Sequence, residues 1–177
     1  MMSDSVLPLG FRAAGIAAGI KSSGAKDLAL IVNDGPHFFG TAVFTSNQIV
    51  AAPVTWSRQI IKDQTVAAVL LNSGGANACT GPEGFADTHH SAEKVAKTLN
   101  LSSSDIAICS TGLIGVRLPM DSILKGIETA ATQLNANALR ECAEAIMTTD
   151  SKPKIAHYEF NGAKFVGIAK GAGMLAP

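Results

Sequence analysis

The chain has 177 residues, with 14 basic and 14 acidic side chains, so its formal net charge is zero. A protein that holds nucleic acid by neutralising phosphates needs a clustered excess of Lys and Arg; no stretch supplies one, and no nucleic-acid partner is expected. Charged residues make up only 16% of the chain, against roughly 25% in ordinary soluble domains, which points to surface covered by a partner unless Ala and Gly have simply displaced charge.

From Gly10 to Gly24 the segment GFRAAGIAAGIKSSG is small-residue-rich and without clear periodicity, and reads as mostly irregular chain that approaches other backbone closely. Leu28 to Val32 is a short apolar run ending in Asn33-Asp34-Gly35-Pro36, with β-branched and aromatic residues from Phe38 to Thr45, so a hairpin is expected there. A further strand is expected over Ala52 to Trp56. Val66 to Leu71 is continuously apolar, as in a strand buried on both faces, and opens into a loop from Asn72 to Gly81.

A helix follows from about Pro82 to Leu99, with Phe85, Ala92, Val95, Ala96 and Leu99 on one face and Glu93, Lys94 and Lys97 opposite. Ile106 to Cys109 reads as a second buried strand, followed by Ser110-Thr111-Gly112. Pro119 opens the clearest helix, in which Met120, Ile123, Leu124, Ile127, Ala131 and Leu134 recur at three and four residues. A third helix follows Asn135 to Asn137, with Leu139, Cys142, Ala145 and Ile146 inside. Lys154 to Phe160 and Lys164 to Ala169 flank Asn161-Gly162, the strongest two-residue hairpin signal in the chain. A chain of this length buries roughly 70% of its unfolded surface, enough for one core, so residues 1–177 are expected to form one domain. The apolar ending, without a polar tail, reads as a cut.

Cys79, Cys109 and Cys142 are far apart and form no C-x-x-C pair, so neither a disulfide framework nor a zinc ribbon is expected, and all three read as core thiols. The opening Met1-Met2-Ser3-Asp4-Ser5 has no basic leader, and no stretch approaches the ~18 apolar residues of a membrane span; no membrane partner is expected, and the protein reads as cytoplasmic. Gly74, Gly75 and Gly81 match neither dinucleotide nor P-loop spacing, which leaves a nucleotide-binding module as a minor alternative and a structural turn as the better account. Asp87, His89, His90 and Glu93 share a helical segment, but only His89 and Glu93 align. A solvated helix face explains them better than a metal site, and no metal is expected. Ser110-Thr111-Gly112 after a buried strand can present backbone N–H groups to a developing oxyanion, although on the residues alone a plain strand-end turn accounts for it better.

Three segments together alter that balance: NSGGANACTG at 72–81, CSTGLIG at 109–115 with LPMD at 118–121, and AIMTTD at 145–150 followed by AKGAGMLAP at 169–177. Together with GFRAAGIAAGIKSSG they make the chain resemble the α chain of the ArgJ family of ornithine acetyltransferases, also called glutamate N-acetyltransferases. The resemblance implies an α/β fold, a layered αββα sandwich shared with DmpA-like proteins, whose mixed sheets are completed by a β chain cut from the same precursor, in an α2β2 heterotetramer. It implies ping-pong transfer of acetyl from N-acetylornithine to glutamate through the β chain's N-terminal threonine, without a bound cofactor; acetyl-CoA as a further donor is left open. Carried over by residue, Thr111 and Gly112 fall on the family's oxyanion hole, and Thr148 and Lys170 on substrate-binding positions. A self-processing aminopeptidase of similar fold is the alternative within that resemblance.

Overall fold

The computed structural model describes residues 6–173; the opening Met1 to Ser5 and the closing Met174 to Pro177 lie outside the described residues. Its centre is a four-stranded mixed sheet of β1 (Phe11–Ile16), β2 (Leu28–Asn33), β3 (Ala68–Gly75) and β4 (Ile106–Leu113), in that spatial order. β1 and β2 are antiparallel, as are β2 and β3, whereas β3 and β4 run parallel. The parallel pair needs a crossover, and α2 (Gly81–Leu99) supplies it.

The alternation of side chains along each strand divides the molecule into layers. Leu28, Leu30, Leu70, Ile106 and Ile108 point to one face, where they form a core with Ala92, Val95 and Ala96 of α2 and Ile123 and Ile127 of α3 (Met120–Thr132). Ala13 and Ala29 point to the other face and bury Leu139, Cys142 and Ala145 of α4 (Leu139–Ala145). The hairpin of β5 (Lys154–Phe160) and β6 (Ala163–Ala169) forms a separate two-stranded sheet whose Ile155, Val166 and Ile168 pack against that second cluster. Helices therefore cover one side of the four-stranded sheet, and the hairpin with α4 covers part of the other.

Three sequence-based expectations are corrected. The Gly-rich start is not irregular throughout, because Phe11–Ile16 is a strand. Its smallness serves contact: a Cβ on Gly15 would lie 2.2 Å from the Glu141 backbone, so α4 lies directly on β1. Phe38 to Thr45 does not form a hairpin with β2. β1 and β3 already occupy both edges of β2, and the segment makes one isolated bridge, Phe39 to Thr65. Ala52 to Trp56 is helical, within α1 (Ala52–Ile60). Pro53 stands in its first turn, where a missing N–H costs nothing.

α1 also completes the edge of the sheet. Trp56 Nε1 donates to the Ile106 carbonyl at 2.9 Å, and Ser57 Oγ both donates to the Ile108 carbonyl at 2.8 Å and accepts from the Ile108 N–H at 3.0 Å. The expected elements over α2, α3, α4 and the β5–β6 hairpin agree with the structure within a few residues. No helix among the described residues is long and apolar enough to cross a membrane.

Candidate functional site

The parallel ladder brings two of the sequence motifs side by side: Asn72 pairs with Ser110, Ser73 with Thr111 and Gly74 with Gly112. Both strands thus continue through residues that the sequence reading assigned to loops. The glycine pair makes this possible. Gly74 has φ +113° and Gly112 φ +134°, and a Cβ on Gly112 would lie 2.4 Å from the Gly74 carbonyl carbon and 2.6 Å from the Gly75 nitrogen. The backbones meet where only glycine fits, and the register shifts at Gly74 and Gly75.

The loop that follows is held by its own polar residues. Fully buried Asn77, at φ +48°, donates to the Gly84 carbonyl at 2.8 Å and to Thr88 Oγ1 at 2.9 Å, and accepts from Thr80 Oγ1 at 2.7 Å. Positive φ recurs at Cys79 and Gly81. These bonds give the loop a structural task, the turn into α2.

Thr111 lies on the hairpin side of the sheet. Lys170, just past the end of β6, donates its ammonium to Thr111 Oγ1 at 2.6 Å. Both border a cavity of about 290 Å³. Leu71 and Ile146 supply its apolar wall, and Asn72, Ser110 and Cys109 line it beside the Thr111–Lys170 pair. Ser110 Oγ donates to Asn72 Oδ1 at 2.5 Å, and Asn72 Nδ2 to the Gly75 carbonyl at 3.0 Å, so these two side chains are already tied down. Desolvation raises the Cys109 thiol above its ordinary pKa, so it stands protonated and a poor nucleophile.

Thr148 is exposed and does not line this cavity, but it is tied to the segment carrying Lys170. Asp150, its side chain 1% exposed, accepts from the Thr148 N–H at 3.1 Å, from the Gly171 N–H at 2.6 Å and from the Lys154 ammonium. The Lys154 ammonium holds that carboxylate well below its usual range, helped by the two backbone donors.

The Gly-rich start reaches the same region. Lys21 donates to the Met147 carbonyl at 2.7 Å and to the Lys26 carbonyl at 3.0 Å, and burial lowers its pKa. Its backbone is shaped by Asp27, 0% exposed, whose two oxygens accept from the N–H groups of Ala18, Ile20 and Lys21 at 2.6 to 2.8 Å. Sequence reading missed Asp27, Lys21, Asp150 and Lys154; a lone acid before an apolar run carries no local signal of three backbone donors folding over it.

The remaining sequence candidates separate. Asp87 pairs with Arg117, whose guanidinium donates to both carboxylate oxygens at 2.6 and 3.0 Å. His89 lies 3.6 Å from Glu93 and against the Trp56 ring, half exposed. Among the described residues, no group of three or more His, Cys, Asp or Glu side chains could hold a metal ion. Of the thiols only Cys142 is buried; Cys79 and Cys109 belong to exposed residues, Cys109 standing on the face of β4 opposite Ile106 and Ile108, with its sulfur partly desolvated at the cavity wall.

A mixed sheet with helices on one face, a second small sheet packed on the other and a cavity beside the β3–β4 ladder defines an α/β sandwich protein. Known proteins make the class specific. The chain is 57% identical over 168 residues to the arginine biosynthesis bifunctional protein ArgJ of Streptomyces coelicolor. That match covers 95% of this chain, which spans 44% of the relative's length. A crystal structure of ornithine acetyltransferase complexed with ornithine, from Mycobacterium tuberculosis, superposes with a TM-score of 0.95 at 50% identity. It is matched over 99% of this chain and 96% of that one. The crystal structure of the bifunctional protein argJ from Bacillus halodurans has a TM-score of 0.85 at 36% identity, over 98% and 92% of the two chains. Residues 12–177 match the ArgJ family, and the chain belongs to it.

Proposed function

We propose that this chain is the α half of a two-part acetyltransferase of arginine biosynthesis, moving acetyl from N-acetylornithine to glutamate. Two comparisons support the division: the curated relative extends well beyond the matched region, whereas the two solved chains are matched almost end to end. The missing half is a β chain from the same precursor, in an assembly of two α and two β chains. Its N-terminal threonine is the nucleophile.

An α-amine with a pKa near 8 can take the proton of its own hydroxyl as that oxygen attacks the acetyl carbonyl. A C–O bond forms, the C–N bond to ornithine breaks, and the proton leaves on the ornithine amine. The amine of glutamate then attacks the acyl-threonine ester, the C–O bond breaks, and the hydroxyl is restored. No bound cofactor enters either step.

This chain's task is to stabilise the oxyanion formed in both halves. Thr111 Oγ1 already accepts from the Lys170 ammonium, so its own proton is free to be donated outward, and Gly112 supplies the neighbouring N–H. Pre-aimed donors of this kind are each worth ~3 kcal/mol in the transition state. An ammonium has three donors, and Lys170 uses one on Thr111, leaving others for a substrate oxygen. Thr148 completes the substrate contacts from its turn.

The observation that carries the reading is the 2.6 Å contact between Lys170 and Thr111 on the wall of the cavity. The test is steady-state transfer from N-acetylornithine to glutamate by the full-length protein. Thr111→Ala is expected to lower kcat by roughly 100-fold, and Lys170→Ala to weaken transfer strongly. Normal turnover in both variants removes these roles. The relatives' description as bifunctional supports a second donor, acetyl-CoA, which release of free CoA would reveal.

A further inference from the structure

Lys170 sits just beyond the last ladder pair of the hairpin, Lys154 with Ala169, so strand pairing does not hold it. Its position depends on the next residue. Gly171 has φ +123°, a backbone shape that L side chains rarely adopt, and both polar groups of that residue are held. Its N–H donates to Asp150 at 2.6 Å, and its carbonyl accepts from Lys154 Nζ at 2.8 Å. The same Lys154 ammonium is paired to Asp150, closing a small ring of contacts. The other Asp150 oxygen accepts from the Thr148 N–H at 3.1 Å.

One carboxylate thus spans the two segments that carry Thr148 and Lys170, while touching neither side chain. We propose that Asp150 is a positioning residue of the acyl-transfer site, a staple that with Lys154 sets the distance between Thr148 and Lys170 and so aims the Lys170 ammonium at Thr111. The proposal rests on the acetyltransferase reading above. A three-donor cradle requires an acceptor at each oxygen. Asparagine has the shape of aspartate but presents an N–H₂ to one set of donors, so it opens the staple without removing volume.

The test uses the full-length protein and three variants, Asp150→Asn, Lys170→Met and the double substitution. The readouts are kcat/KM for transfer from N-acetylornithine and the Kd for ornithine by calorimetry. Asp150→Asn alone is expected to lower kcat/KM by roughly 10- to 100-fold, the scale of losing charge-assisted bonds. Because the loss is routed through Lys170, the double variant should lie within about twofold of Lys170→Met alone in both readouts. Lys154→Met should show the same dependence with a smaller loss, and Lys154→Arg, which keeps a cation for both contacts, should recover most of it.

Wild-type activity in Asp150→Asn, or an equal fold-loss with and without Lys170, overturns the proposal. Should Asp150→Asn fail to fold, the Lys154 variants in the two backgrounds decide it by the same criterion. Unchanged kcat/KM and Kd in Lys170→Met itself would instead overturn the reading of the site, and the staple's role with it.

Discussion

Replacing Gly112 by alanine should damage both stability and the strand end that carries Thr111. Two costs add. At φ +134° an L residue is strained, by about 1–2 kcal/mol. The added Cβ would also lie 2.4 Å from the Gly74 carbonyl carbon, about 1 Å inside ordinary carbon contact. Its neighbour is backbone in a paired strand, so relief requires β3 and β4 to part, at about 1–3 kcal/mol. The sum is about 2–5 kcal/mol, to be read as the loss of unfolding free energy in urea. Gly162→Ala provides the control, since it has φ +79° in the hairpin turn with nothing within 4 Å of the added Cβ. It should cost only the backbone share, about 1–2 kcal/mol. Equal losses at the two glycines would refute the crowding argument, and so would a Gly112→Ala protein within about 0.5 kcal/mol of the parent.

Ser57→Ala removes the one side chain that satisfies both the N–H and the carbonyl of Ile108, and should cost about 2–4 kcal/mol by urea unfolding; a loss below about 0.5 kcal/mol would mean that water replaces it freely. Asp27→Asn swaps an acceptor for a donor where a fully buried carboxylate takes three partly buried N–H groups, and should cost about 2 kcal/mol, with faster hydrogen exchange over residues 18–21. Unaltered exchange there would refute its shaping role. Arg12, Lys26 and Lys154 respectively hold Asp34, Glu144 and Asp150 below the ordinary carboxylate range. A depressed folded pKa stabilises fully above the unfolded value, near 4, and that stabilisation is lost as pH falls through the folded value. The unfolding temperature should therefore hold from about pH 7 to about 5 and drop below about 4, and Glu144→Gln should show a shallower acid limb. An acid limb just as steep in that variant would count against the assignment.

The elements that could be read from the sequence are those whose patterns answer to one dominant neighbour. α3 shows its Ile123–Ile127 stripe because one sheet lies beneath it, and β5–β6 shows Asn161-Gly162 because its turn is local. β1 was hidden for the opposite reason: contact with α4 demands small residues, and small residues carry no hydrophobic period. Val54, Thr55 and Trp56 favour strands by type, yet the helix prevails because only a helix brings Trp56 and Ser57 together onto the β4 backbone. Phe38 to Thr45 has the composition of a strand and no open edge on β2 to join. At the candidate site, Thr111, Gly112, Thr148 and Lys170 are singled out by the family resemblance alone, and the structure brings Lys170 onto Thr111. Their connection was not legible, because it runs through Asp150 and Lys154, whose bonds cross between segments distant in sequence.

β4 ends the sheet, and an outermost strand ordinarily offers its unpaired amides to any passing chain. Here an indole and a single hydroxyl from α1 take the place of a fifth strand over Ile106 and Ile108. The protection is asymmetric in consequence: fibril-like stacking is blocked at the start of this border by two side chains rather than by a ladder. Loss of one oxygen atom at position 57 would leave the Ile108 amide and carbonyl open on that margin, at a residue that does not line the cavity beside Thr111 and Lys170.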